Sequence, residues 1–276
     1  LQIRDAEILL PTGRSNTSPR LRSLTVDMDL VRDRSLRQIK LIVEAPEGRI
    51  FSAEGSGTGN PFDLRQFSGE LHGHLNGLGG LLLAEWFELE LSVEGQADYW
   101  FTVEQGIPSL VVQADFTNLI VLGEPQLAID SFSFDAAWTT SGEASEVWID
   151  NAKVISDAHT LEVPRVQLTG SGLSWQALTE RWNVSDAVKV FMGSGLLSGR
   201  AYAILETLNP RGSIDSLMLS VDSWRSPLSA WNASMAVTDA TTAPYNKVPG
   251  LAGIDASITA DDAGALAWIN TRNFDL

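Results

Sequence analysis

Alternation of hydrophobic and polar residues recurs along this chain and predicts β-strands. The segment "FELELSVEG", residues 87–95, shows it clearly, because glutamate and serine occupy every second position. The positions between them carry the large hydrophobic residues Phe87, Leu89, Leu91 and Val93. Side chains alternate across an extended strand with a period of two, so this segment has one apolar face and one acidic face.

The same alternation is found in most of the other segments. "SLTVDMDL" places Leu24, Val26 and Met28 on one side, and "RQIKLIVEA" continues with Leu41 in phase. At ordinary strand and loop lengths the chain accommodates roughly eighteen strands. An open twisted sheet seldom exceeds about ten strands without curling, splitting or flattening. The sequence therefore predicts an all-β chain that forms two packed sheets, a barrel, or one long antiparallel sheet curled into an open groove.

One region, residues 173–195, has a helical pattern and predicts a short interruption of the strands. Its first part aligns tryptophan and leucine at i, i+3 and i+7, which predicts a helix capped by Ser174. Ser185 is the predicted cap of a second helix, which ends at Gly193 or Gly195.

Two further segments have weaker patterns. The glycine-rich "GSGTGN", residues 55–60, predicts a flexible loop. "SGRAYAILE", residues 198–206, is interpreted as a strand. Helices and strands do not alternate along the chain, so a parallel βαβ architecture is not expected.

Composition narrows the functional classes. The net charge of −16 argues against binding to nucleic acid, because phosphate binding depends on clustered Lys and Arg. The chain has no cysteine, which excludes disulfides, thiolate metal sites and cysteine nucleophiles. No run of about 18 apolar residues is present, so no transmembrane helix is predicted.

No constellation of residues points to catalysis. His72 and His74 in "LHGHL" would face the same side of a strand, but no third metal ligand is evident, and an exposed polar face explains them. "GSGTGN" lacks the spacing of a phosphate-binding loop. We therefore expect no enzyme activity, no metal and no cofactor. The nine tryptophans leave a carbohydrate-binding surface as an alternative.

The C-terminal third contains a succession of turn motifs that resembles a known family. "LNPRGSIDSLMLSV" is followed by "SMAVTDATTAPYNKVPGLAGIDASITADDAGALAWINTRNFDL". The residues that match are Pro210, Gly212, Pro249, Gly250, Leu251, Gly253, Asp261, Asp262 and Gly264. They resemble the periplasmic region of the YhdP-type AsmA-like proteins of Gram-negative bacteria. Ala265 stands where that family usually has a second glycine, and the family's "YLP" is absent from the helical stretch.

The resemblance implies a function as well as a fold. These proteins belong to the bridge-like lipid transporters, in which a long antiparallel sheet curls into a groove that shields acyl chains. It implies that residues 1–276 are one continuous groove segment of a longer, inner-membrane-anchored protein, with 173–195 as a helical insertion. The expected location is the periplasm. The expected partners are a phospholipid or other acyl lipid, the remainder of the same chain at both ends, and membrane-anchored proteins of the cell envelope.

The resemblance also implies which side chains contact lipid. The expected groove-lining residues are Leu24, Val26, Met28, Leu41, Phe87, Leu89, Leu91, Val93, Phe132, Phe134, Leu219, Val221, Met235 and Val237. The strand pattern alone leaves another reading open, a non-enzymatic β-sandwich that serves as an interaction or carbohydrate-binding module.

Overall fold

A computed structural model describes residues 1–12, 20–33, 36–45, 48–60, 63–76, 91–121, 127–157, 159–194, 199–223, 230–246 and 249–270. Within these ranges the chain forms seventeen strands, two α-helices and one 3-10 turn. The strands of the N-terminal part are β1 (Gln2–Thr12), β2 (Arg20–Asp33), β3 (Leu36–Ala45), β4 (Gly48–Thr58), β5 (Ser68–Asn76), β6 (Leu91–Glu104) and β7 (Ile107–Val121). The 3-10 turn, Leu64–Gln66, lies between β4 and β5.

The remaining elements follow in the same manner. The strands are β8 (Leu127–Ser141), β9 (Ala144–Ser156), β10 (His159–Val163), β11 (Val166–Ser171), β12 (Ser174–Thr179), β13 (Trp182–Asn183), β14 (Arg211–Val221), β15 (Trp231–Thr242), β16 (Leu251–Asp261) and β17 (Gly264–Ile269). The helices, α1 (Val184–Gly193) and α2 (Gly199–Leu208), lie between β13 and β14.

The strands belong to one long, open, antiparallel sheet. Strands β1 to β6 each pair with the next strand along the chain, which brings the ladder to β7. Strand β9 pairs with both β10 and β11, and the ladder then continues from β11 through β12, β14, β15 and β16 to β17. The short strand β13 also pairs with β14. The prediction of an all-β chain built on a long antiparallel sheet is confirmed.

Residue contacts divide the chain into two compact units. The first contains Leu1–Gly123 and Ala137–Thr140, and the second contains Glu124–Ala136 and Ser141–Leu276. Strands β2 to β7 lie wholly in the first unit, and β9 to β17 lie wholly in the second.

Several hairpins close with the turn residues that the sequence indicates. Gln105 and Gly106 both have positive φ angles between β6 and β7, as a two-residue turn of the tight hairpin type requires. At the β16–β17 hairpin, the Asp261 carboxylate accepts hydrogen bonds from the backbone N–H groups of Ala263 and Gly264, at 2.8 and 3.0 Å. Asp261 and Gly264, two of the turn-motif residues identified in the sequence, therefore do form a turn.

Four strands contain an aspartate or asparagine with a positive φ angle, and each is held by an acidic residue of another strand. The bonds are Asp5 N–H to Asp27, Asn118 amide to Glu94, Asn151 amide to Asp135, and Asp239 N–H to Asp255. Asp and Asn tolerate this conformation better than other non-glycine residues. The strand register shifts at three of these positions, in β1, β7 and β15. Such bulges increase the local twist of a sheet.

The helical interruption begins later than predicted. Residues 174–179 form strand β12, so the predicted first helix is wrong. The apolar residues of this segment fit the spacing of a helix, but they fit the alternation of a strand equally well. The segment forms a strand because it pairs with β11 on one side and with β14 on the other. The second helix exists as α1 and ends at Gly193, as predicted. Its cap is Asn183 instead of Ser185, because the Asn183 side-chain oxygen accepts from the N–H groups of Ser185 and Asp186.

Two other local predictions are also wrong. Residues 55–58 of the glycine-rich segment belong to β4, where pairing with β3 and β5 overrides the flexibility of glycine. The segment interpreted as a strand, residues 198–206, lies mainly in α2. Alanine and leucine favour a helix there, and no alternation opposes it.

Glycine at position 55 is required by the close approach of β5. A Cβ atom added to Gly55 would lie 2.2 Å from the Glu70 carbonyl oxygen and 2.9 Å from Leu71 Cδ1. We expect Gly55→Ala to lower the free energy of unfolding by about 1–3 kcal/mol, the usual cost of overpacking. Urea unfolding followed by circular dichroism measures it.

The matched control is Gly264→Ala, because a Cβ atom there would meet no atom within 4 Å. This variant should unfold at the wild-type urea concentration. Equal midpoints for the two variants would contradict the close β4–β5 approach.

Candidate apolar binding faces

Strand register in the first unit assembles one continuous apolar face across six strands. Residues directly opposite each other in an antiparallel pair lie on the same side of the sheet. Followed from β2 to β7, three neighbouring rows contain no charged residue. They are Val26, Val43, Phe51, Leu75, Ala97 and Ala114; Met28, Leu41, Ala53, Gly73, Tyr99 and Val112; and Leu30, Ile39, Gly55, Leu71, Phe101 and Leu110. We call this surface the β2–β7 apolar face.

The other side of the same strands is polar. One of its rows reads Asp29, Lys40, Glu54, His72, Trp100 and Val111, and the next reads Asp27, Ile42, Ser52, His74, Asp98 and Gln113. Lys40 and Glu54 form an exposed ion pair at 3.8 Å, and His74 Nδ1 lies 2.9 Å from Asp98 Oδ1. This β2–β7 polar face has the composition of a solvated surface.

The β2–β7 apolar face is only partly covered. In the three rows the buried side chains are alanines, at positions 53, 97 and 114, whereas the larger residues are half-buried. Leu30 is exposed, with 38% of its surface accessible. A fully packed core would enclose leucine and phenylalanine side chains on all sides. The face is therefore apolar but incompletely covered by the described residues.

Aromatic rings cross this face over glycines. The Tyr99 ring lies over Gly73, where an added Cβ atom would come within 2.4 Å of the tyrosine oxygen. Tyr99 also stacks on Phe51, with ring centroids 5.7 Å apart, and its hydroxyl donates a 3.1 Å hydrogen bond to the Ser52 carbonyl oxygen. Burial raises the pKa of Tyr99 to about 12. The tyrosine thus joins β4, β5 and β6 with its one polar group satisfied.

The second unit has an equivalent surface on strands β9 to β17. Two of its rows contain no charged residue: Ile149, Val166, Thr179, Leu217, Met235, Ile258 and Ala267; and Val147, Leu168, Ala177, Leu219, Ala233, Ala260 and Ala265. A shorter third row contains Ser145, Gly170, Trp175, Val221 and Trp231. We call this surface the β9–β17 apolar face. Leu219, near its middle, is 39% exposed.

Helix α1 covers one end of the β9–β17 apolar face. Its buried residues Ala187 and Val190 pack in a cluster with Leu161, and Trp182 joins that cluster. Trp182 lies directly opposite Ile214, and Ile214 lies opposite Val237 of the apolar face. The helix therefore lies on the apolar side of the sheet, which the sequence left undecided.

The structure places eight of the predicted groove-lining residues on these two faces. In the first unit Leu24, Val26, Met28 and Leu41 share the β2–β7 apolar face. In the second unit the corresponding four are Leu219, Val221, Met235 and Val237. Phe132 and Phe134 share one side of β8, with ring centroids 5.0 Å apart. Phe87 and Leu89, and the side chains of Leu91 and Val93, lie outside the described part of the structure.

Sequence reasoning missed several members of the β2–β7 apolar face. Leu71 and Leu75 occupy alternate positions of β5, in the segment noticed only for its histidines. Phe101 and Leu110 are opposite each other in β6 and β7. The alternation was visible in each segment, but the rows that unite them depend on register, which turn lengths and pairing fix.

The histidines lie away from the apolar residues. His72 and His74 project from the same side of β5, as predicted, and this side is the polar face. Within the described ranges no group of three or more His, Cys, Asp or Glu side chains is arranged to hold a metal ion. In the same ranges no helix has both the length and the hydrophobicity needed to cross a membrane.

Comparison with known proteins adds no further assignment. No protein-family profile, no curated protein and no solved structure matches the chain.

The raised pKa of the half-buried Tyr99 predicts a specific dependence of the free energy of unfolding on pH. Its folded-state pKa lies above the ordinary value of 10.0, so its contribution to stability is complete below pH 10 and is lost as the pH rises through about 12. We expect the Tyr99→Phe variant to lose less of its free energy of unfolding than the wild type over this alkaline pH range, because it has no phenol at this position to ionise. Urea midpoints measured across that pH range report it.

Tyr202→Phe serves as the control, because Tyr202 is exposed on α2. The urea midpoint of this variant should depend on pH in the same way as that of the wild type. The same alkaline loss in Tyr99→Phe would show that Tyr99 is not the group responsible.

Proposed function

We propose that this chain is a segment of a lipid-transfer conduit, in which the two apolar faces shield the acyl chains of phospholipids or related lipids. The observation that carries the proposal is the presence of uncharged rows in each unit, across six strands of the first and, separately, over strands of β9 to β17 of the second. Acyl chains have no hydrogen-bonding groups, so a carrier needs a surface without charged interruptions.

The partial exposure of the large side chains favours a face that is covered by a ligand, and it is not typical of the closed core of a β-sandwich. Exposed apolar surface costs about 25 cal/mol per Å², and contiguous patches on soluble proteins usually mark an interaction site. Leu30 and Leu219 are exposed at 38% and 39% within otherwise uncharged rows. A bound acyl chain would cover such residues, and it requires no polar partners from them.

The polar side of the strands supports the same proposal. The β2–β7 polar face carries Lys40, Glu54, His72 and Asp98, and all four residues are exposed to solvent. A sheet that is solvated on one side and apolar on the other is what a half-open conduit requires. The turn motifs shared with the YhdP-type AsmA-like family motivate the further proposal of a periplasmic location and of a longer, membrane-anchored parent protein.

The direct test places a carboxylate on the β9–β17 apolar face. Leu219→Asp and Val237→Asp should each lower the co-purified acyl lipid about tenfold or more, because an ionised carboxylate beside hydrocarbon is costly. Both residues are incompletely buried, so the carboxylate can turn toward water and the β spectrum should persist. Mass spectrometry of extracted lipid and circular dichroism are the two measurements.

Ser220→Asp is the matched control, since Ser220 neighbours Leu219 on β14 but pairs with Gln176 and Asn232 on the polar side. It should retain both lipid and fold. Unchanged lipid in Leu219→Asp and Val237→Asp would remove the conduit proposal. Loss of the β spectrum in both variants would favour a packed core.

A further inference from the structure

Two arginines lie directly beside the uncharged rows of the first unit, next to the row of Leu30. The row next to that of Leu30 begins with Arg32 of β2 and Arg37 of β3, which are directly opposite each other, and continues with Gly57, Gly69, Val103 and Pro108. By register, both arginines therefore lie on the same side of the sheet as the β2–β7 apolar face, in the row that borders it. Like charges opposite each other destabilise a sheet, so the pair has no evident structural purpose.

No acidic group of the described residues compensates this pair. Neither guanidinium forms an ion pair or hydrogen bond within the described ranges, although Arg4, Arg49, Arg165 and Arg181 each pair with a carboxylate. Arg37 is half-buried and Arg32 is exposed. The pair thus presents two positive charges whose donors are available to an anion from outside the described structure.

An apolar cavity of about 210 Å³ adjoins Arg37. Its hydrophobic lining comes from Leu30, Ile39, Phe67, Leu71 and Phe101. The Phe67 ring covers Gly57 and Gly69, where an added Cβ atom would lie within 2.7 Å of it, so this ring closes one side. Glu70 also contributes to the lining, but register places its side chain on the polar face. The cavity is smaller than a typical site for a whole small molecule and suits part of one acyl chain.

We propose that Arg32 and Arg37 bind the anionic phosphate headgroup of an acyl lipid whose hydrocarbon chain enters the cavity beside Leu30 and Phe101. An arginine fork matches phosphate geometry and forms charge-assisted hydrogen bonds. The arginine row lies directly beside the three uncharged rows. One amphiphilic molecule can therefore contact the arginines with its anionic group and the uncharged rows with its hydrocarbon chain. This inference rests on the proposed function and adds to it the two residues that contact the lipid phosphate.

The test uses the intact chain and isothermal titration with three probes. Dodecyl phosphate carries the anion and the chain, inorganic phosphate carries the anion alone, and monolauroylglycerol is an uncharged acyl compound. We expect wild-type protein to bind dodecyl phosphate more tightly than either other probe. Arg32→Gln and Arg37→Gln should each weaken dodecyl phosphate binding about tenfold, the usual effect of one charge-assisted contact. Both should bind monolauroylglycerol as the wild type does.

Lys40→Gln is the control, because Lys40 lies on β3 near Arg37 but on the polar face, and the variant makes the same change in charge. It should bind dodecyl phosphate like the wild type. Urea midpoints of the two arginine variants should equal or exceed that of the wild type, since a like-charge pair is removed. Weaker binding accompanied by unfolding would overturn the proposed role of the arginines as ligand contacts.

The remaining outcomes distinguish failure of the arginine site from failure of the proposed lipid-transfer function. Equal dodecyl phosphate affinity in all variants overturns the arginine site. Inorganic phosphate that binds as tightly as dodecyl phosphate overturns the lipid and leaves a site for free anions. Retained monolauroylglycerol binding in either case preserves the proposed function. A wild-type chain that binds neither acyl probe overturns both.

Discussion

Strand register is the constraint on which the rest of this structure depends. Because side chains alternate with a period of two, a slip of one residue in β2 would bring Asp27 and Asp29 onto the β2–β7 apolar face. The long ladders of paired residues prevent such a slip. Where a bulge inserts an extra residue, as at Asp239 in β15, the pairing resumes with the hydrophobic residue Ile254 opposite Ala240. Each face therefore keeps its character across many strands.

The register allows a broad apolar surface, and small residues determine how closely the strands carrying it can pack. Gly57, Gly73 and Gly170 each lie beneath an aromatic ring, from Phe67, Tyr99 and Trp175 respectively. A methyl group at any of these positions would collide with its ring. The rings cover backbone that would otherwise be exposed, and each ring holds neighbouring strands together. The same arrangement occurs in both units, so it is a general feature of how this sheet packs.

The chain itself covers the apolar faces unevenly. Among the described side chains, the largest that are almost completely buried are Ile50, Val103 and Ser156, and none of them belongs to the uncharged rows, whose buried members are small. Helix α1 covers the second unit's face near Leu161, while Leu219 keeps 39% of its surface accessible. This distribution differs from that of a sandwich core, in which burial is greatest at the centre. The larger side chains of each face therefore remain incompletely covered by the described residues.

The sequence by itself determined the strand character of most of the chain, the apolar side of many strands and several turns, because alternation and turn chemistry are local. It therefore identified Met28, Leu41 and Leu219 as members of apolar faces. Tertiary structure decided what local signals left ambiguous. Residues 174–179 fit a helix and a strand equally well until β11 and β14 paired with them. The adjacency of Arg32, Arg37 and the Phe101 cavity arises only from register across five strands, since their separation along the chain conceals it.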